Sequence, residues 1–295
     1  DGSFLLLKPL VALVTNIDRE HLNHYHTFEN LIAAFRQFVG HVDPAGMLIR
    51  CEDDQMVRTH LPRYPRQITY GLTMPADVTA ESLKPRGWGT EFIAWYQGQR
   101  LGTFRVRVPG RHNVQNALAV ISLGIALDIP IACVREALLA FRGTSRRFEL
   151  FQLPRDVWFV EDYAHHPSEI RATLNADPFM SRHRLVVFQP HRYSRTKMLE
   201  QEFSTCFGQA DGIVITDIYS AFETPIPGVS GERVADLIKA QGHPCVRYVP
   251  WRELSHYLTK AIQPQDTVFF LGAGDIGELC HELVAQWRPI GGTAR

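Results

Sequence analysis

Five times between Trp158 and Trp287 a short apolar run gives way to a stretch with helical spacing. The runs are Trp158–Val160, Arg184–Gln189, Gly212–Thr216, Cys245–Val249 and Thr267–Leu271. Most are near-continuous in Val, Ile, Leu and Phe instead of alternating with polar residues. Strands of that kind are buried on both faces, as in a parallel sheet covered by helices. The helical stretches are Pro167–Ala176, Thr196–Phe207, Gly231–Ala240, Trp251–Ile262 and Ile276–Trp287. Five βα units in series predict a doubly wound, Rossmann-like parallel sheet. Right-handed crossovers bring all the carboxyl ends to one edge, where ligands of such sheets sit. The residues just after each strand are therefore the ones to inspect for chemistry.

The first half reads differently. Leu10–Thr15 and Gly46–Arg50 look like buried strands, and Thr27–Val39 like a helix capped by Thr27. Gln67–Val108 reads as strand-like with turns, and the alternation in Phe92–Tyr96 and Thr103–Val108 suggests antiparallel hairpins. Two helices, Asn113–Leu127 and Pro130–Phe141, follow. The short polar break Arg142–Arg147 predicts a boundary between a domain at 1–145 and one at 146–295. Two domains suit 295 residues.

Composition excludes several classes of protein. Lys plus Arg and Asp plus Glu both number 31, so no net field favours nucleic acid or an anionic membrane. The five cysteines are scattered and form no CxxC pair, which argues against a disulfide framework or a structural zinc and for a reducing cytoplasm. No apolar run approaches the ~20 residues of a membrane span, and no signal peptide is expected. Only five of the 31 basic residues are lysine; arginine grips carboxylates and phosphates bidentately, although an arginine-rich codon bias explains the set as a whole.

Five segments could carry chemistry. Leu271-Gly-Ala-Gly-Asp-Ile-Gly277 matches G-x-G-x-x-G between a strand and a helix, but no second strand with an acidic residue follows it. It reads as a glycine turn whose amides meet an anion or a neighbouring loop. Thr15-Asn-Ile-Asp18 with His21 follows a buried strand and suits either a metal ligand or a surface loop. Gly110-Arg-His-Asn113 with Asn116 opens a helix, where two amides on one face could meet a base edge or simply cap the helix. Glu161-Asp-Tyr-Ala-His-His-Pro167 and Gln189-Pro-His-Arg-Tyr-Ser-Arg-Thr196 follow two strands expected to be neighbours. They bring Asp162, Tyr163, His165, His166, His191, Arg192 and Arg195 to the carboxyl edge. That density of polar groups is hard to explain as packing, and two arginines three apart can hold a carboxylate or phosphate.

These segments, together with Asp1-Gly-Ser-Phe4, Gly143-Thr-Ser-Arg-Arg-Phe148 and Pro225-Ile-Pro-Gly-Val-Ser230, resemble the Mur ligases of bacterial cell-wall synthesis, in the same order and over nearly the whole chain. The resemblance implies ATP-dependent ligation of L-alanine to the lactyl carboxylate of UDP-N-acetylmuramate through an acyl phosphate, with ATP and Mg²⁺ as cofactors. It implies His21 as a magnesium ligand and His112, Asn113 and Asn116 as the adenine pocket. Arg147 would lie near the ATP phosphates and Asp162 at the ribose. Tyr163, His165, His191, Arg192 and Arg195 would contact the amino acid and the muramoyl group. Of these, His191, Arg192 and Arg195 are implied as catalytic, and Arg192 and Arg195 would hold the alanine carboxylate and developing phosphate charge. His-His-Pro and Pro-His-Arg-Tyr point to the alanine-adding branch of the family. A ligase that recycles a whole tripeptide shares many of the motifs and stands as the alternative.

The sequence holds no G-x-x-x-x-G-K-[ST]. The resemblance therefore implies a fragment: the second part of a P-loop-type ATPase domain and a complete C-terminal domain, inactive as a ligase by itself. A nucleotide-dependent oxidoreductase built on Gly272–Gly277 is the less favoured reading. Added NAD(P)H is expected to leave its own fluorescence unchanged on mixing with the chain; a saturable change would favour the oxidoreductase.

Overall fold

The computed structural model describes residues 2–19, 22–176 and 182–287, without the side chains of residues 22 and 23. The chain divides into two compact units, residues 1–142 and 143–295. Unit 1 contains β1 (Val11–Val14), α1 (Leu22–Tyr25), α2 (Phe28–Gly40), β2 (Met47–Cys51), α3 (Gln55–His60), β3 (Gln67–Gly71), β4 (Val78–Arg86), β5 (Gly89–Tyr96), β6 (Gln99–Val106), α4 (Arg111–Ala126) and α5 (Ile131–Ala140). Its six strands lie in sequence order. β1 through β4 are parallel, and β4, β5 and β6 form an antiparallel meander.

Both faces of this sheet are covered. Leu48 and Ile49 are adjacent in β2 and both fully buried, because successive side chains point to opposite faces. Leu48 joins Leu31, Ile32 and Val57 from α2 and α3, while Ile49 joins Tyr70, Phe92, Phe104, Leu118 and Ile121 on the other side. Thr27 caps α2 by accepting the Asn30 N–H at 3.2 Å. α4 begins two residues before the start expected from the sequence. Gly110, at φ 95°, is its N-cap, and Asn113 sits inside the first turn.

Unit 2 contains β7 (Glu149–Leu153), β8 (Val157–Asp162), α6 (Pro167–Ala176), β9 (Arg184–Phe188), α7 (Tyr193–Met198), α8 (Glu200–Ser204), β10 (Gly212–Ile215), α9 (Gly231–Ala240), β11 (Val246–Tyr248), α10 (Trp251–Ala261), β12 (Thr267–Leu271) and α11 (Ile276–Trp287). The strand order is β11-β10-β9-β12-β8-β7. Five strands are parallel, as the repeated βα pattern implies, and β7 adds an antiparallel edge to β8. Every residue of β9, β10 and β12 is buried.

Two expectations need correction. β8 and β9 are not neighbours, because β12 lies between them and pairs with both. The helix expected over 196–207 starts earlier, at Tyr193, and breaks at Leu199, whose backbone leaves helical geometry while its side chain turns into the core.

One polar contact ties unit 1 together beyond its apolar core. Asp53, after β2, accepts hydrogen bonds from the N–H groups of Leu72, Thr73 and Met74, from the Thr73 hydroxyl and from Gln115 on α4. Burial disfavours its charge, but these donors outweigh it and hold the carboxyl at about 2. The folded value lies below the ordinary 3.8, so this stabilisation is complete above that pH and is lost as pH falls through 2. Asp53→Asn is expected to cost about 1–3 kcal/mol at pH 7. Its deficit should shrink on acidification from pH 4 to pH 2, as read by urea unfolding; a pH-independent deficit contradicts the assignment.

Candidate functional site

Parallel strands place the tips of β8, β12, β9 and β10 along one edge of the unit 2 sheet. Four loops, 161–167, 271–276, 189–196 and 216–223, leave from there. β12 separates the two histidine-bearing loops, so they can meet only if its own loop stays thin. A methyl group on Gly274 would lie 2.4 Å from Gln189 Oε1 and 2.6 Å from the Tyr219 ring. One on Gly272 would lie 2.8 Å from the Gln189 carbonyl oxygen, and one on Gly277 would lie 2.2 Å from Glu161 Oε1. The G-x-G-x-x-G pattern here is the clearance that lets flanking loops close over a strand tip. Gln189 then spans the gap, donating to Asp275 at 2.6 Å and accepting the Ile276 N–H at 3.2 Å.

Arg146 clamps the same edge from the start of the unit. Its Nε lies 3.0 Å from Glu161, whose side chain is 1% exposed. Its Nη2 donates to the carbonyls of Gly272 and Gly274, and its guanidinium lies over the Tyr163 ring at 4.9 Å. Arg147 lies over the same ring at 5.3 Å and 3.5 Å from Glu169. Glu149, Glu161 and His281 hold potential ligand atoms within 4.8 Å of one another, but Arg146 already pairs with the buried Glu161, and His281 Nε2 lies 2.8 Å from its other oxygen.

The histidine loops do meet. The Tyr163 and His165 rings touch edge-on at 5.3 Å, His165 lies 5.7 Å from His191, and His191 stacks on Tyr219 at 5.5 Å. Arg195 Nη1 donates to His191 Nδ1 at 3.1 Å. An arginine can only donate, so Nδ1 is the acceptor and a neutral His191 carries its proton on Nε2. Burial, then Arg195, His165 and Arg192, push this imidazole down to about 4. His165 Nδ1 faces the Tyr163 carbonyl at 2.9 Å, so that nitrogen carries a proton and donates. Glu169 orders the same turn by accepting the His165 and His166 N–H groups at 3.0 and 3.1 Å; although burial opposes its charge, those amides and the nearby His165 and Arg147 hold it below the usual range.

Arg192 stands at φ 70°, which a residue with a Cβ adopts only under strain. Its N–H bonds the Tyr219 carbonyl at 2.8 Å, and its carbonyl accepts both the N–H and hydroxyl of Thr196. Its side chain is half-exposed, 3.9 Å from Glu223. Burial opposes the charge of Glu223, but it accepts the Ser194 N–H and hydroxyl, and these bonds, with Arg192, hold it below the ordinary glutamate range.

The other expected residues divide between the units. His112, Asn113 and Asn116 lie in the first turn and a half of α4, in unit 1. Burial holds His112 below the ordinary histidine value, Asn113 donates to the Pro109 carbonyl at 2.6 Å, and Asn116 is exposed. Asp162, in unit 2, accepts the N–H groups of Phe148 and Ala164, and burial raises it to about 6 despite those bonds and Arg147. Both its oxygens already order the two turns beside it. His21 and Asp1 lie outside the described residues. Sequence reasoning passed over Arg146, Glu169, Tyr219 and Glu223. Tyr219 and Glu223 follow β10, and the same rule of inspecting every strand end points to them.

Residues 3–124 match the family model for the Mur ligase middle domain, and residues 146–274 match that for the Mur ligase, glutamate ligase domain. The chain is 42% identical over 292 residues to the UDP-N-acetylmuramate–L-alanine ligase of Sorangium cellulosum, covering 97% of this chain and 62% of that protein. It is 44% identical over 291 residues to the enzyme of the same name from Geobacter sulfurreducens, covering 97% and 63%. The chain thus spans about three-fifths of the length of these curated relatives. The crystal structure of UDP-N-acetylmuramate-alanine ligase MurC from Thermotoga maritima superposes with a TM-score of 0.79 at 27% identity, covering 97% of this chain and 61% of that one.

The charge state of His191 is directly measurable. In ¹⁵N-edited NMR its imidazole is expected to stay neutral and protonated on Nε2 down to about pH 4. Arg195→Ala should raise the titration midpoint; a midpoint near the ordinary 6.5 in the unaltered chain contradicts the Arg195–His191 geometry.

Proposed function

The chain belongs to the Mur ligase family, and we propose that it forms the amino-acid-binding end and part of the ATP-binding region of a UDP-N-acetylmuramate–L-alanine ligase acting in the cytoplasm. The observation that carries this reading is the meeting of the β8 and β9 tips, with Tyr163, His165 and His191 in ring contact and Arg195 fixed on His191. Relatives at 42% and 44% identity bear the name of that activity.

In this reading Arg192 and Arg195 hold the carboxylate of L-alanine and the charge that develops on the reacting phosphoryl group. His191 steers the Arg195 fork. As a neutral ring it adds no third positive charge beside the two arginines, so the amino group of alanine is not repelled by it. The Arg192 side chain is half-exposed beside the strand tip, where a substrate can reach it. Tyr163, His165 and the turn ordered by Glu169 form the opposite wall toward the muramoyl group.

The α4 residues fit an uncharged base edge: His112 is kept neutral by burial, and Asn116 offers an exposed amide. Arg147 would meet the phosphates. Asp162 would face the ribose, although its oxygens also serve the turns at Phe148 and Ala164. When bound, ATP supplies the phosphoryl group that turns the lactyl carboxylate into an acyl phosphate. His21 is assigned to Mg²⁺ by resemblance alone, and oxygen ligands would be needed beside it.

The test joins the chain to the portion of the G. sulfurreducens relative that the match leaves uncovered. The chimera is expected to release phosphate from ATP only when UDP-N-acetylmuramate and L-alanine are both present. Arg195→Ala and Arg192→Ala should each lower kcat/KM for alanine by about 100-fold. Preference for a tripeptide over alanine would move the chain to the recycling branch. A folded chimera that joins neither substrate would refute the ligase reading.

A further inference from the structure

A second charged feature of unit 2 lies away from the strand-tip edge. β11 is the outermost strand of the sheet and, among the described strands, pairs only with β10. The Cys245 carbonyl accepts the Ile213 N–H, and the Val249 N–H donates to Ile215, both at 2.9 Å. Alternation along a strand then turns the backbone groups of Val246 and Tyr248 to the other side, away from β10. Beside this edge runs a groove of about 860 Å³, walled by β11 and by α10.

The walls of the groove are basic. Arg247 comes from the strand, and Arg252, His256 and Lys260 come from the helix. Arg252, His256 and Lys260 are exposed and stand four residues apart, so they form one stripe along α10. Glu253 is the acid among the lining residues, and it is paired with Arg252 at 3.3 Å. The nearby Asp217 is already engaged by the Tyr248 hydroxyl at 2.5 Å and the Trp251 N–H at 2.8 Å. Arg247 rests on the Tyr257 ring at 5.5 Å, which holds its guanidinium at the groove.

A single charge on an edge strand is enough to discourage sheet-to-sheet pairing. Here the basic side chains form a row instead, and the row has a period. Four helical residues rise about 6 Å. Alternate side chains on one face of an extended strand are about 6.6 Å apart. Acidic residues at every second position of an extended peptide would therefore face Arg252, His256 and Lys260 with little accumulated mismatch. The same peptide's backbone would meet the outward groups of Val246 and Tyr248. A compact anion could meet one or two of these basic groups but not the row or the strand edge.

We propose that the groove between β11 and α10 binds an extended acidic peptide, which adds as a strand to the free edge of β11 and sets alternate acidic side chains against Arg252, His256 and Lys260. The site is independent of the ligase reading, because it shares no residue with the strand-tip cluster.

The test uses fluorescence anisotropy with the 295-residue chain and two labelled peptides of one composition, Glu-Val-Glu-Val-Glu-Val and Glu-Glu-Glu-Val-Val-Val. The alternating peptide is expected to bind at least ten-fold more tightly at low salt. Arg252→Glu and Lys260→Glu, both at exposed positions, should each weaken it at least ten-fold while leaving the thermal midpoint unchanged. N-methylation of alternate peptide amides should weaken it as strongly. Equal affinity for the two isomers would show mere charge attraction and overturn the proposal. So would indifference to both charge reversals, or inorganic pyrophosphate binding as tightly with the same dependence on Arg252 and Lys260.

Discussion

The edge of the second unit depends on three missing methyl groups at the tip of β12. Gly272, Gly274 and Gly277 each leave room that a Cβ would close to between 2.2 and 2.8 Å of Gln189, Tyr219 or Glu161. Overpacking of that kind costs about 1–3 kcal/mol where neighbours can yield. Here the neighbours include a backbone carbonyl and a fully buried carboxylate. Because β12 is thin there, loops from strands that are not adjacent reach each other over it. Arg146 then locks the arrangement by bonding at once to Glu161, to two glycine carbonyls and to the face of Tyr163.

Charge at this edge is sorted by the same packing. Glu161 is buried and held by Arg146, so it serves the scaffold. Asp162 is buried with two amide donors and is pushed up to about 6. His191 is pushed down to about 4 by burial and by arginines on its own loop. The result is a neutral His191 ring, stacked on Tyr219, with guanidinium groups beside it. The strained backbone at Arg192 belongs to this design, since the Tyr219 carbonyl and the Thr196 donors on either side hold it in place.

Much of the fold was legible because it rests on local signals. The apolar runs of β8, β9, β10 and β12 mark themselves as doubly covered strands. Thr27 marks the start of α2. The polar loops marked themselves as sites because burying so many polar groups without a ligand or partner is costly. Other features left no such trace. α3 is a single capped stretch of six residues, too short to show a period. β7 is an edge strand that exists because β8 offers it a partner. The break at Leu199 comes from a side chain drawn into the core, which no propensity of the surrounding residues announces.

By itself, then, the sequence determined the five βα units of the second half and their parallel pairing, and which polar residues stand at strand ends. Each of these follows from short-range periodicity or from the cost of leaving a polar group buried. Only the tertiary structure decided that β12 enters between β8 and β9, that the glycine motif is clearance for a loop crossing, and that His191 accepts at Nδ1. Those facts depend on which strand pairs with which and on what lies within 3 Å of an atom, and contacts between residues a hundred positions apart are not encoded in any window of the chain.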